Sequence, residues 1–205
     1  MKKLLVATTN PGKILEYRVL LKNLPLELVT LKDVNIKDGV EEDGKTFEEN
    51  AIKKVKFYSQ FVDFPTLAED AGLEIDYLDG EPGVKTRRWL GREASDQELI
   101  DLTLAKLKGV PAEQRGARLK TVIALNIFGK INTFEGILRG VIMEKPIDKI
   151  IPGYPFRSLF FVPGVSKVLG EFTMEEEAKI AHRKKAVEKA LPLLSQYLRE
   201  PFSQN

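Results

Sequence analysis

The sequence predicts an α/β fold: a central twisted, mixed β-sheet flanked by helices, in a single domain over residues 1–205 with two lobes around a cleft. Three observations carry this. Strand, loop and helix patterns alternate from the start of the chain, strand patterns cluster in its middle, and no internal repeat, low-complexity tract or linker divides it. Early alternation followed by clustering points to a mixed rather than a purely parallel sheet.

The elements follow in order. Leu4 to Ala7 is an apolar run suited to a buried strand, Asn10-Pro11-Gly12 breaks it, and a helical pattern runs from Lys13 to about Leu24. Leu26 to Leu31 is a second strand, and Asp33 to Lys45 a polar, acidic loop. Thr46 and Glu49 form a capping box, and Phe47, Ala51, Val55 and Tyr58 give the helix after it an apolar stripe. Thr66 to Ala68 reads as a short strand delivering Glu69-Asp70 to its end, with strand resuming over Leu73 to Tyr77 and a turn at Gly80 to Gly83. Ser95 and Glu98 box the start of a helix that stops at Gly109. Arg118 to Phe128 and Ile131 to Leu138 flank Gly129-Lys130 as a hairpin, which Val141 to Met143 extends, and Leu159 to Val162 is the last strand. Thr173 and Glu176 open one C-terminal helix carrying Ile180, Val187, Leu191 and Leu194, with a kink expected at Pro192.

Composition excludes several kinds of chemistry. The 205 residues hold 32 basic and 30 acidic side chains, a net charge of +2, and 43% hydrophobic residues, enough to bury a core without disulfides or a structural metal. With no cysteine there is no thiol nucleophile and no Cys-ligated metal, and His182 is the single histidine. Balanced charge argues against a nucleic-acid partner, no run approaches the ~18 apolar residues of a membrane span, and the expected compartment is the cytoplasm.

Five clusters can carry chemistry. Thr8-Thr9-Asn10-Pro11-Gly12-Lys13, with Glu16 one turn on, is a strand-to-helix loop whose free N–H groups and Lys suit a phosphate. It lacks the first Gly of a P-loop, since position 7 is Ala, and is equally a capped turn. Glu41-Glu42-Asp43-Gly44, before a helix with Lys53, Lys54 and Lys56, offers hard oxygens for Mg²⁺ or is a solvated charged loop. Glu69-Asp70 after an apolar run can hold a metal and accept a proton from water, or form an acidic turn. Lys85-Thr86-Arg87-Arg88 can grip a polyphosphate or decorate a surface hairpin. His182-Arg183-Lys184-Lys185 is a basic helical run or a solvated face.

The order of seven patterns adds what no single one supplies: Ala-Thr-x-Asn-x-Gly-Lys-x-x-Glu, Glu-x-x-Gly-x-Thr-Phe-x-Glu-Asn-Ala, Glu-Asp-x-Gly-Leu, Gly-x-Pro-Gly-Val, Phe-Glu-Gly-x-x-x-Gly, Phe-Phe-Val-Pro and His-Arg. Together, from Leu4 to about Leu194, they resemble the inosine/xanthosine triphosphate pyrophosphatase family. The resemblance implies a two-lobed α/β homodimer with its active-site cleft between the lobes. It also implies Mg²⁺-dependent hydrolysis of purine nucleoside triphosphates to monophosphate and pyrophosphate. By position it implies Thr8, Asn10, Lys13 and Lys54 as phosphate binders, and Thr86 and Arg88 as triphosphate contacts. Glu41, with Glu42 as the alternative, and Glu69 match metal ligands, and Asp70 the acid that activates water or holds the metal. Tyr154 matches an aromatic that stacks on the base, and His182 and Arg183 match donors to the purine O6.

The chain departs from the family pattern where the base would be read. The acid usual before the final strand is Arg157 here, with Ser158 beside it, and the usual Lys of the last helix is Glu177; Ala181 replaces a Ser. Both charge signs invert together, so Arg157 and Glu177 are expected to face each other as a reversed ion pair and to loosen discrimination among bases. Two other readings remain: a pyrophosphatase of the same fold with shifted or broad base preference, and a catalytically weak nucleotide-binding protein.

Overall fold

A computed structural model describes residues 1–200. Seven strands, β1 (Lys2–Val6), β2 (Leu26–Thr30), β3 (Thr66–Ile75), β4 (Gly116–Ile127), β5 (Lys130–Ile142), β6 (Phe160–Val162) and β7 (Lys167–Val168), form a sheet of order β2-β1-β3-β4-β5-β6-β7. The helices are α1 (Pro11–Leu20), α2 (Phe47–Tyr58), α3 (Asp96–Lys106), α4 (Met174–Ile180) and α5 (His182–Arg199). β1 runs parallel to both β2 and β3, whereas β6 is antiparallel to β5 and β7, so the sheet is mixed. The chain divides into two compact units. Unit 1 takes residues 1–70, 121–136 and the chain from 183; unit 2 takes 71–120 and 137–182.

Local chemistry accounts for the ends of the elements. Pro11 occupies the first helical position of α1, where a missing N–H costs nothing, and the Asn10 side chain accepts from Gly12 N at 2.9 Å and Lys13 N at 3.3 Å. Ser95 with Glu98 and Thr173 with Glu176 form complete capping boxes. At α2 the box is incomplete: Thr46 caps Glu49 N, but the Glu49 carboxylate accepts from Lys45 N at 2.6 Å. The β4–β5 turn is Phe128-Gly129, one residue earlier than the sequence indicates. Both residues have positive φ (53° and 72°), as a two-residue primed hairpin turn requires.

Unit 1 packs Leu4, Val6, Tyr17 and Leu21 against Leu67, Ile123, Leu125, Val187 and Leu194. Unit 2 packs Leu73, Ile75, Leu99 and Ile100 against Leu138, Ile142, Phe156, Leu159 and Phe160.

Two further expectations are corrected. β3 does not end at Glu69-Asp70 but runs unbroken from Thr66 to Ile75, because Ala71 and Gly72 continue a nearly wholly buried strand rather than turning. The C-terminal helix is two helices, interrupted at Ala181 in an extended conformation (φ −53°, ψ 144°), and α5 continues through Pro192. The strand β7, two residues long, is too short to leave a periodic signature.

Candidate active site

Successive residues of a strand project to opposite faces, so the adjacent acids of β3 meet different partners. Glu69 is 3% exposed and fully engaged. The Arg183 guanidinium donates to it twice, Nε to Oε2 at 2.6 Å and Nη2 to Oε1 at 2.8 Å. Lys13 Nζ lies 2.8 Å from Oε1, and the Tyr17 hydroxyl donates to Oε2 at 2.5 Å. The third guanidinium nitrogen, Nη1, donates to Glu16. Burial alone would raise the Glu69 pKa, but Arg183 and Lys13 together outweigh it and hold the carboxyl well below its usual range. Tyr17, fully buried beside that carboxylate, keeps its proton to well above its usual pKa and remains a donor.

Asp70 points to a more open arrangement. Asn50 Nδ2 donates to its Oδ2 at 2.8 Å, and Lys54 Nζ lies 3.5 Å from Oδ1 and 3.0 Å from Glu42 Oε2. Asn50 is buried and its Oδ1 accepts from Gly44 N at 2.8 Å. Asp70 is 7% exposed, and its pKa is raised: burial is the largest cause and Glu42 adds to it, against the pull of Lys54, Asn50 and Lys13. Two carboxylates share the ammonium of Lys54, which leaves hard oxygen donors around one spot with a net negative charge.

In unit 2 the reversed pair forms. Arg157 Nη2 lies 2.7 Å from Glu177 Oε1, both side chains nearly buried, and the guanidinium carbon sits 4.1 Å from the centre of the Tyr154 ring. Arg87 pairs with Asp96 at 2.6 Å, and the same carboxylate accepts from Gly153 N at 2.6 Å, fixing the loop that presents Tyr154.

The structure thus brings together Lys13, Glu69 and Arg183, then Lys54 and Asp70, and separately Tyr154, Arg157 and Glu177. Thr8 accepts from Asn10 N, and Asn10 caps α1, so the amides of Gly12 and Lys13 offered in sequence to a phosphate are already taken. The Thr86 hydroxyl donates to Gly83 O and accepts from Leu73 N, tying the chain after β3 in place; Arg88 is exposed. His182 is buried at the start of α5.

Two residues have partners other than those expected of them. Arg183, expected on the purine O6, has all three guanidinium nitrogens on carboxylates. Glu69, expected on a metal, has both oxygens occupied by cations, and among the described residues no three carboxylates or histidines gather as a metal site. Glu41 is exposed, and it is Glu42 that reaches Lys54. Asn50, Glu16 and Tyr17 are added by the structure. Asn50 was visible as a polar residue three positions after Phe47 on an apolar stripe, and Glu16 as an acid one turn from Lys13. A cavity of about 600 Å³ lined by Lys2, Phe64, Phe128 and Tyr197 holds none of these residues.

Residues 4–193 match the profile of the Ham1 family. The chain belongs to the Ham1 family. It is 41% identical over 188 residues to the dITP/XTP pyrophosphatase of Geobacter sulfurreducens, covering 91% of this chain and 94% of that one. It is 37% identical over 195 residues to the dITP/XTP pyrophosphatase of Bacillus subtilis, covering 95% and 98%. A HAM1 protein from Coxiella burnetii superposes with a TM-score of 0.83 at 31% identity over 96% of this chain and all of the other. The Lys13–Glu69–Arg183 network and the Asp70 cluster of this Ham1 protein lie within the matched span.

Proposed function

We propose that this Ham1 protein hydrolyses deaminated purine nucleoside triphosphates, ITP, dITP and XTP, to the monophosphate and pyrophosphate. The observation that carries the reading is Asp70: a buried carboxylate with raised proton affinity, its Oδ2 held by Asn50 and its Oδ1 facing Lys54. Two relatives covering nearly the whole chain bear the name dITP/XTP pyrophosphatase. Asp70 takes the proton of the attacking water, and its raised pKa brings it nearer the ideal for a general base at neutral pH. A triphosphate carries about four negative charges, and Lys13 and Lys54, with ammonium groups on the Glu69 and Asp70 clusters, offset the charge that moves onto the pyrophosphate.

Asp70 and Glu42 have the donor chemistry Mg²⁺ needs, one or two carboxylates with the remaining positions left for phosphate and water. When bound there, Mg²⁺ supplies Lewis-acid stabilisation of phosphoryl oxygens. Glu69 instead fixes Lys13 and Arg183, and the Lys13 ammonium, 20% exposed, is the member of that network that meets phosphate. The resemblance also supports a homodimer acting in the cytoplasm, and sedimentation of the purified chain tests the dimer.

A second reading, the same hydrolysis with loosened base preference, is favoured by Arg157 lying on the Tyr154 ring and paired with Glu177. Incubation with Mg²⁺ and ATP, GTP, ITP, XTP, dITP, UTP and dUTP separately, with identification of the phosphorus products, tests both. Pyrophosphate released fastest from ITP, dITP and XTP supports the first, and pyrophosphate from most of the panel the second. Stoichiometric orthophosphate with nucleoside diphosphate overturns both.

A further inference from the structure

The acidic loop is strapped along α2 in antiparallel fashion. Glu42 meets Lys54 at 3.0 Å, Asp43 meets Lys53 at 2.5 Å, Gly44 N donates to Asn50 at 2.8 Å, and Lys45 N donates to Glu49 at 2.6 Å. Two of these straps continue to Asp70. One passes through the long, flexible ammonium of Lys54. The other passes through the amide of Asn50, whose Oδ1 holds the loop and whose Nδ2 holds Asp70 Oδ2, both at 2.8 Å. An amide is planar and rigid, and Asn50 is only 1% exposed, so its two ends are at a fixed separation.

We propose that Asn50 is the positioning residue that sets the spacing between Glu42 and Asp70, and that position 44 must be glycine so that the amide can hold this place. A Cβ on residue 44 would stand 2.6 Å from Asn50 Oδ1 and 2.9 Å from Glu49 Cβ, closer than such atoms approach, and Asn50 lies buried between the loop and Asp70. Any side chain at 44 therefore pushes the loop from α2 or turns the amide from Asp70. The inference rests on the reading of Glu42 and Asp70 as the donors for a divalent cation. Groups that orient first ligands typically change metal affinity by about 10–100-fold when removed.

The test uses the full chain and Mn²⁺ alone, with bound Mn²⁺ followed by electron paramagnetic resonance in the absence of nucleotide, on folded variants checked by thermal melting. Asn50→Ala and Gly44→Ala are each expected to weaken Mn²⁺ at least about tenfold. The double variant should be no worse than the weaker single one, because both act through one contact. Lys53→Ala, which cuts a strap that does not lead to Asp70, should stay within about twofold. If Asn50→Ala does not fold, Gly44→Ala carries the test, since residue 44 lies in a loop. Asp70→Asn tells the failures apart. Loss of Mn²⁺ in Asp70→Asn with wild-type affinity in Asn50→Ala and Gly44→Ala overturns the positioning role and leaves the metal reading standing. Additive losses in the double variant overturn the shared contact. No saturable Mn²⁺ in the wild type, or none lost in Asp70→Asn, removes the metal reading and the proposal with it.

Discussion

Arg183→Met removes one charge from a buried set whose formal charges cancel. Glu16 and Glu69 carry two negatives, Lys13 and Arg183 two positives, and Tyr17 is neutral. Methionine occupies much of the arginine stem's volume, so the loss is chiefly electrostatic: Glu69 keeps Lys13 and Tyr17, while Glu16 loses its guanidinium partner. Breaking a buried pair from one side costs about 3–5 kcal/mol. For a chain of this length each kcal/mol moves Tm by about 2–4 °C, so a loss of about 4 kcal/mol lowers it by about 8–16 °C. The pH dependence separates this from a packing defect. In the wild type Glu69 has a depressed pKa, so its stabilising contribution is present above the unfolded-state value of 4.5 and is lost only as pH falls through the lower folded value. In the variant burial acts on Glu69 without Arg183, its folded pKa rises, and the penalty recedes as acid neutralises it. Calorimetry from pH 8 to pH 5 should therefore show the gap in Tm between the two proteins narrowing, and Glu69→Gln in the Arg183→Met background should recover most of the loss. A gap under about 3 °C, or one that does not change with pH, would refute the account.

Three further outcomes are expected. Asp70→Asn should lower kcat by on the order of 10²-fold or more while Tm holds or rises at neutral pH, because a buried carboxylate with a raised pKa is destabilising when ionised; activity within threefold of wild type would remove Asp70 from the chemistry. In the metal-free protein the Asp70 carboxyl should titrate above the ordinary carboxylate range, and Lys54→Met should move it to still higher pH, since Lys54 opposes the rise; a titration followed by NMR in which it moves down contradicts the assignment. Arg157→Asp should lower kcat/KM more than Arg157→Asp combined with Glu177→Lys, since the single change sets two carboxylates together; additivity across the nucleotide panel would show that the pair is not coupled in binding.

The fold was legible where local chemistry decided it. The boxes at Ser95 and Thr173, the cap at Thr46 and the apolar strand runs all depend on neighbours within four residues. Glu69-Asp70 was visible as an acid pair but not as the middle of a strand, because Ala71-Gly72 reads as a turn until burial on both sides is known. The reversed pair of Arg157 and Glu177 was foreseen from opposed changes in charge, and it forms at 2.7 Å. The carboxylate partners of Arg183 were not legible, because a buried arginine and a ligand-facing one look alike in sequence and these partners lie 114 and 167 positions away. Asn50 was present in a quoted pattern, but nothing local shows that its amide reaches Asp70.

The Arg183–Glu69 pair also sets a timetable for biosynthesis. Unit 2 is built from residues 71–120 and 137–182, so all of it is synthesised before Arg183, whereas unit 1 needs the chain beyond residue 183. Glu69 and Arg183 are separated by 114 positions, roughly 6–23 s of translation at about 5–20 residues per second. For that interval the central acid of unit 1 has no guanidinium to justify its burial, and water must remain around it. Unit 2 therefore needs no residue made after His182, while the interior of unit 1 closes only when α5 delivers its arginine.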